Sequence, residues 1–290
     1  MRWTPRGRSR NLIDLRGRSG GGGGFRMGGL GGGMGIVGLL VAVVFTMLFG
    51  GDFLSGGGEQ QASSPGDVAV GPTAPVRTTP EEEREIEFLS FLLDDQQAVW
   101  TRLAPQLGAQ YRDAQLAVFR GAVQSGCGNA SAAMGPFYCP RDERVYLDLG
   151  FFDELAQRFG APGDFAQAYV VAHEIGHHVQ NITGTMAEAQ QAMASDRARA
   201  NEYSVRLELQ ADCYAGVWAH TTSQRQLLEA GDVDEGLAAA SAVGDDRLQR
   251  QATGQVHPES FTHGTSEQRV FWFRRGMESG DPRVCDTFAA

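Results

Sequence analysis

Lysine is absent from all 290 residues, so every one of the 25 basic side chains is an arginine. That gap reads as a coding-composition effect without a functional message. Basic charge is also missing from most of the chain. Seven arginines (Arg2, Arg6, Arg8, Arg10, Arg16, Arg18 and Arg26) face only Asp14 within the first 26 residues, which leaves about −16 on the remainder of a chain whose net charge is −10. An acidic body excludes nucleic acid as a partner, because phosphate binding needs basic surface. Cysteine is scarce, with four residues and no C-x-x-C pair of the kind a zinc ribbon uses. No internal repeat is visible.

Between Met27 and Gly51 no residue is charged, and "GIVGLLVAVVFTMLFGG" within that span is nearly all apolar. About 20 such residues cross a bilayer. The arginines on its N-terminal side keep the N-terminus in the cytoplasm by the positive-inside rule. A cleaved signal peptide fits less well, since the basic region is too long and no A-x-A site follows. The sequence therefore predicts a basic cytoplasmic segment over residues 1–27 and a transmembrane anchor over 28–51. A Gly/Ser/Pro/Gln-rich flexible linker follows over 52–79, then one domain over 80–290. That arrangement is a single-pass protein of the inner or plasma membrane with its domain outside the cytoplasm. Export suits disulfides. Cys127 and Cys139 sit in a turn-rich stretch where a short disulfide loop fits, and Cys213 and Cys285 remain for a longer bridge. Four cysteines allow three pairings, and sequence does not choose among them.

The domain opens on Thr79-Pro80 followed by Glu81, Glu82 and Glu83, a helix start with a cap, an N1 proline and acids in the first turn. Ile86, Leu89, Leu93 and Trp100 follow at helical spacing. "AQLAVF" and "RVYLDL" read as short strands on either side of the cysteine loop. Phe151–Phe159 reads as a helix. Asp164 is placed to cap the next one, and helices continue to the C-terminus with breaks near Gly184, Gly231 and 254–264. Thr265 or Ser266 caps the last helix, whose Val270, Phe271 and Phe273 are assigned to the core. The fold class is α+β, mostly helical with a small sheet.

Three of the six histidines fall in "AHEIGHHVQ". On a helix, His173 and His177 share a face one turn apart, so two imidazoles meet at one point with Glu174 beside it. This is the H-E-x-x-H pattern of a zinc hydrolase, two ligands and a general base. Gly176 costs about 1 kcal/mol inside a helix relative to alanine and is expected to admit a second backbone. His178 points off the ligand face and is assigned a structural role. Catalytic zinc takes three protein ligands and leaves a fourth position for water. The helix "RLELQADCYAGVWA" offers Glu208 and Asp212 four apart in an apolar setting, where acids are expensive unless they meet a cation. Glu208 is assigned to the metal. Asp212 is assigned to accept a hydrogen bond from the far nitrogen of a ligand histidine, and the reverse assignment stays open.

HEIGHHVQ, then E-x-x-A-D within "LELQADCYAGVWA", then "GDDRLQ" and "FTHGTSEQR", resembles the bacterial family of membrane-anchored neutral zinc metallopeptidases. The glycine tract and the loop "SGCGNASAAMGPFYCP" are similar to it as well. The resemblance implies a zincin-like fold, one Zn²⁺ per chain, His173 and His177 as ligands and Glu174 as the catalytic glutamate. The acid matching Glu208 is the third ligand in the similar prenyl-protein proteases. The function that follows is hydrolysis of peptide bonds in a peptide or protein substrate. An inactive metal-binding interaction module and a zinc amidase acting on cell-wall peptides are the competing readings. A second stabiliser of the developing oxyanion is needed besides the metal. His263 is assigned to it, with Tyr203, Arg269 and His257 as rivals.

Overall fold

The computed structural model describes residues 1–17 and 78–289; the anchor expected over 28–51 and all but the end of the expected linker lie outside the described residues. Among the described residues no helix is long and apolar enough to cross a membrane. The fold is a helix-rich α+β arrangement of eight helices around a four-stranded sheet and a separate two-stranded hairpin, counted among the described residues.

The first helix, α1 (Pro80–Leu103), begins where the sequence places it. Thr79 accepts the Glu82 N–H at 3.3 Å and donates its own N–H to the Glu82 carboxylate at 3.2 Å. This capping box satisfies two otherwise orphaned donors. Ile86, Leu89, Leu93 and Trp100 are buried, so the helical spacing marks a true core face.

Strands β1 (Leu12–Asp14), β2 (Gln115–Phe119) and β6 (Arg144–Asp148) run parallel, and β5 (Phe137–Cys139) closes the far edge antiparallel to β6. The central pair registers Leu116 on Val145 and Val118 on Leu147. Both faces of β2 and β6 are covered, which is why each reads as an unbroken apolar run. The zincin resemblance, by analogy, puts "RVYLDL" beside the site as an edge strand that pairs with substrate, but it is interior to the sheet. The cysteine loop turns back and lays β5 over that edge. Between β2 and β5, β3 (Ala122–Ser125) and β4 (Gly128–Ser131) form the hairpin, and the Cys127–Cys139 disulfide ties it to β5. After β6 comes α2 (Gly150–Gln157).

The segment expected as a separate basic stretch over 1–27 is, over residues 1–17, part of the fold. β1 pairs Leu12 with Leu116, Ile13 with Ala117 and Asp14 with Val118. Trp3 packs on Phe88 and Phe91 with ring centroids 5.1 and 6.1 Å apart, and the Ser9 hydroxyl donates to Asp94. Arg16 is buried and donates to Asp14 and Glu83 at 2.7 and 2.9 Å. Seven arginines read as a membrane flank because sequence does not reveal that Asp14 and the Glu81–Glu83 run are there to receive some of them. Deleting residues 1–17 bares one edge of the sheet and part of α1. A fall in Tm of about 10 °C is expected, the shift that a loss of about 3–4 kcal/mol produces in a domain of this size; thermal melts of the full and shortened chains check it.

The remaining helices are α3 (Asp164–Thr183), α4 (Thr185–Ser195), α5 (Ala200–Gln224), α6 (Asp232–Ala242), α7 (Asp245–Thr253) and α8 (Ser266–Ser279). α3 packs against α5, and α5 against α8. At Gly176 an added Cβ would lie 3.0 Å from both Cα and O of Ala211, so the glycine lets α3 and α5 touch backbone to backbone. Gly216 and Gly276 do the same between α5 and α8, where a Cβ at either would meet a carbonyl oxygen at 2.0 Å. Cys213 on α5 bonds Cys285 in the turn after α8. Two local expectations fail. Gly163, at φ 116°, precedes α3, so Asp164 is its first residue rather than its cap, and its carboxylate meets the Met1 amino group at 2.6 Å. Phe271 is 56% exposed on α8, beside buried Phe273, because the helix turns one aromatic outward. Thr265 caps α8 as expected, accepting from the Gln268 N–H.

Candidate metal centre

α3 brings His173 and His177 onto one face, with ring centroids 4.8 Å apart. α5 crosses it at Gly176–Ala211 contact distance and presents Glu208 between them. Nε2 of His173 lies 3.1 Å from one oxygen of Glu208, and Nε2 of His177 lies 3.5 Å from the other. One ligand atom from each of the three residues falls within 4.8 Å of the others. A zinc ion with bonds of about 2.0–2.1 Å in tetrahedral geometry needs ligand atoms about 3.3–3.4 Å apart. The two measured separations bracket that edge, and the His₂Glu donor set suits zinc. The residues fit the ion.

The outer nitrogens are committed. His173 donates from Nδ1 to Asp212 at 2.9 Å, and His177 from Nδ1 to Gln180 at 2.8 Å, which fixes both tautomers with Nε2 free for a metal. Asp212 is fully buried and also receives the Tyr169 hydroxyl and a two-pronged Arg269 guanidinium at 2.8 and 2.9 Å. It therefore sits behind His173, and Glu208 lines the cavity. Gln180 in turn donates to the Leu207 carbonyl and to Gln210, and Gln210 donates to the Cys285 carbonyl. A continuous polar chain thus runs from a ligand histidine to the second disulfide.

The electrostatics follow from burial and these partners. Burial alone would lower the His173 pKa, but Asp212 and Glu208 outweigh it and raise it to about 9. Burial would raise Glu208, yet His177, His263 and the imidazole hydrogen bonds hold it well below the usual carboxylate range. Glu174 differs. Burial pushes its pKa up, and His177 and His173 offset that only in part. Its carboxylate has no hydrogen-bond partner among the described residues and lines the same cavity as the three clustered side chains.

His263 lines that cavity too. Its Nδ1 is 3.1 Å from one oxygen of Asp245, whose other oxygen accepts the backbone N–H groups of Thr262, His263 and Gly264 at 2.7, 2.7 and 3.2 Å. Burial would lower the His263 pKa, and Glu208 and Asp245 together raise it. Nε2 is the nitrogen left for the cavity. The other three candidates are placed differently. Arg269 is spent on Asp212, His257 is an exposed residue near Glu259, and Tyr203 packs under Arg199 in a separate cluster. His178 is structural, as expected. It donates from Nε2 to the Arg112 carbonyl at 2.7 Å and accepts the Tyr138 hydroxyl at 2.9 Å, which docks β5 onto α3. Sequence reasoning missed Asp245 and Gln180 as partners of the site and gave Arg269 a different role, as an oxyanion candidate rather than the partner of Asp212. A second acidic group, Asp164, Asp232 and Glu235, also has clustered ligand atoms, but the Met1 amino group lies against its two aspartates.

Two histidines one turn apart and a glutamate from a crossing helix form a group that could hold a metal ion, with the Glu174 carboxylate lining the same cavity. No solved structure matches the chain. The chain belongs to the family described as "Putative neutral zinc metallopeptidase", whose model matches residues 1–288. It is 44% identical over 296 residues to "Uncharacterized protein YpfJ" of Escherichia coli strain K12, covering 99% of each chain. It is 48% identical over 204 residues to "Uncharacterized protein Rv2575" of Mycobacterium tuberculosis, covering 67% of each.

Proposed function

We propose that this protein is a zinc-dependent peptidase of zincin type that holds one Zn²⁺ per chain on His173, His177 and Glu208. The observation that carries the reading is Glu174, a buried carboxylate without a hydrogen-bond partner among the described residues, set in the cavity beside the three clustered ligand atoms. A purely structural site has no use for such a base. Zinc bound there would lower the pKa of a water molecule towards about 7 and polarise a carbonyl. Glu174 takes the proton of the attacking water and returns it to the leaving amine. His263, held by Asp245, donates from Nε2 to the oxyanion. β5, the outer strand, lines the cavity with Phe137 and Tyr138 and offers its free edge to an extended substrate backbone.

Two disulfides favour an oxidising compartment for the domain, and the apolar run over 28–51 favours attachment to a membrane. A single crossing there would part residues 1–17 from the domain, whereas β1 pairs with β2. The proposal is therefore a membrane-attached enzyme whose residues 1–17 share the domain's side, with peptides or proteins, not nucleic acid, as substrates. The test is zinc content and hydrolysis of an unbiased peptide library by the full chain. One zinc per chain with cleavage is expected. Zinc bound and no peptide cleaved would leave a metal-binding module instead.

A further inference from the structure

The candidate metal centre lies in a cavity of about 320 Å³ with a mixed polar and apolar lining. His173, Glu174, His177, Glu208 and His263 all line it. Met134 and Phe137 from the cysteine loop, Phe151 and Phe159 from α2 and the turn after it, Val170 from α3 and Leu248 from α7 give it apolar wall, and Glu154 and Arg158 line it beside the two α2-side phenylalanines. A volume this size is near the lower end for ligand pockets, enough for one large side chain.

The loop's share of that wall is held in three ways. Cys127 and Cys139 close it. The Phe137 ring stacks on Tyr146 at 5.0 Å and 10°. The Met134 sulfur accepts the Ser131 N–H, which fixes the short turn over Ala132–Met134. At Gly135, with φ 73°, an added Cβ would lie 3.7 Å from the Phe151 ring, so loop and α2 meet directly. An apolar wall fixed by a covalent bridge beside reacting groups has the chemistry of a specificity pocket: a large apolar side chain is desolvated against it.

We propose that Met134 and Phe137 of the disulfide-closed loop, with Phe151 and Phe159, form the pocket that selects leucine, methionine or phenylalanine next to the bond cleaved. This rests on the peptidase reading. The reaction is hydrolysis, with the carbonyl carbon gaining the water oxygen, the C–N bond breaking and the amine leaving with the proton.

The experiment pairs two measurements on the full chain. In the first, a leucine peptide and its alanine counterpart are compared for cleavage. The leucine form is expected to have a kcat/KM about 10–100-fold higher. Met134→Glu should collapse that ratio to about 1, and Met134→Leu should keep it. In the second, the same two peptides are titrated calorimetrically into zinc-loaded Glu174→Gln protein. Leucine is expected to bind about 10-fold or more tightly than alanine, and adding Met134→Glu should erase the difference. Cleavage of both peptides at equal rates, or equal binding of both, overturns the proposal while the peptidase reading stands. No cleavage by the unaltered chain, with leucine still favoured in binding, sinks the peptidase reading and keeps the pocket.

Discussion

Glu174→Gln is expected to lower kcat for peptide hydrolysis by about 10²–10⁴-fold, the range for a positioned general acid–base group, while the zinc content stays at one per chain. Glu174 faces the cavity without a partner among the described residues and is not among the three clustered ligands, so its loss removes a proton acceptor and leaves the metal's donors in place. Glutamine keeps the shape and hydrogen-bonding reach but does not take the proton. Parallel zinc determination and steady-state kinetics on the two proteins check both halves. A variant that loses zinc and activity together would assign Glu174 to the metal instead.

His263→Ala is expected to lower kcat by about 10²–10³-fold, the cost of removing one oxyanion donor, with KM changed little. The reason lies in Asp245. One of its oxygens holds His263 Nδ1 and the other gathers three successive backbone N–H groups, so the loop is built around an imidazole fixed in one orientation. A group so immobilised is complementary to charge that develops only during reaction. If His263 served substrate binding alone, KM would rise with kcat unchanged.

How much of this was legible before the structure depends on where each partner sits in the chain. His173, Glu174 and His177 lie within one turn and a half of one helix, so spacing alone fixed their common face. Glu208 and Asp212 were legible because two acids on an apolar helix face demand a cation, and the structure supplies imidazoles and Arg269. Gly176 was legible because its cost needed a reason, which Ala211 gives.

The larger misses are tertiary. β1 has three residues and lies about 100 positions before its partner, inside an arginine-rich stretch whose composition pointed elsewhere. β5 also has three residues, and nothing local announced that it, rather than "RVYLDL", would take the sheet edge next to the cavity. Asp245 acts on His263 across 18 residues through a loop, and no periodicity links them. Phe271 follows the helical pattern as well as Phe273 does, and only the position of α5 decides which ring is covered.

The central claim is that two imidazoles from one helix and a carboxylate from another share one metal ion. Zinc K-edge X-ray absorption of the purified full chain, with and without Glu208→Ala, addresses it directly. The expected spectrum has a nitrogen and oxygen shell that includes two imidazoles and no sulfur, and the variant loses zinc or a first-shell oxygen. A sulfur ligand, a single imidazole, or a spectrum untouched by Glu208→Ala would contradict it.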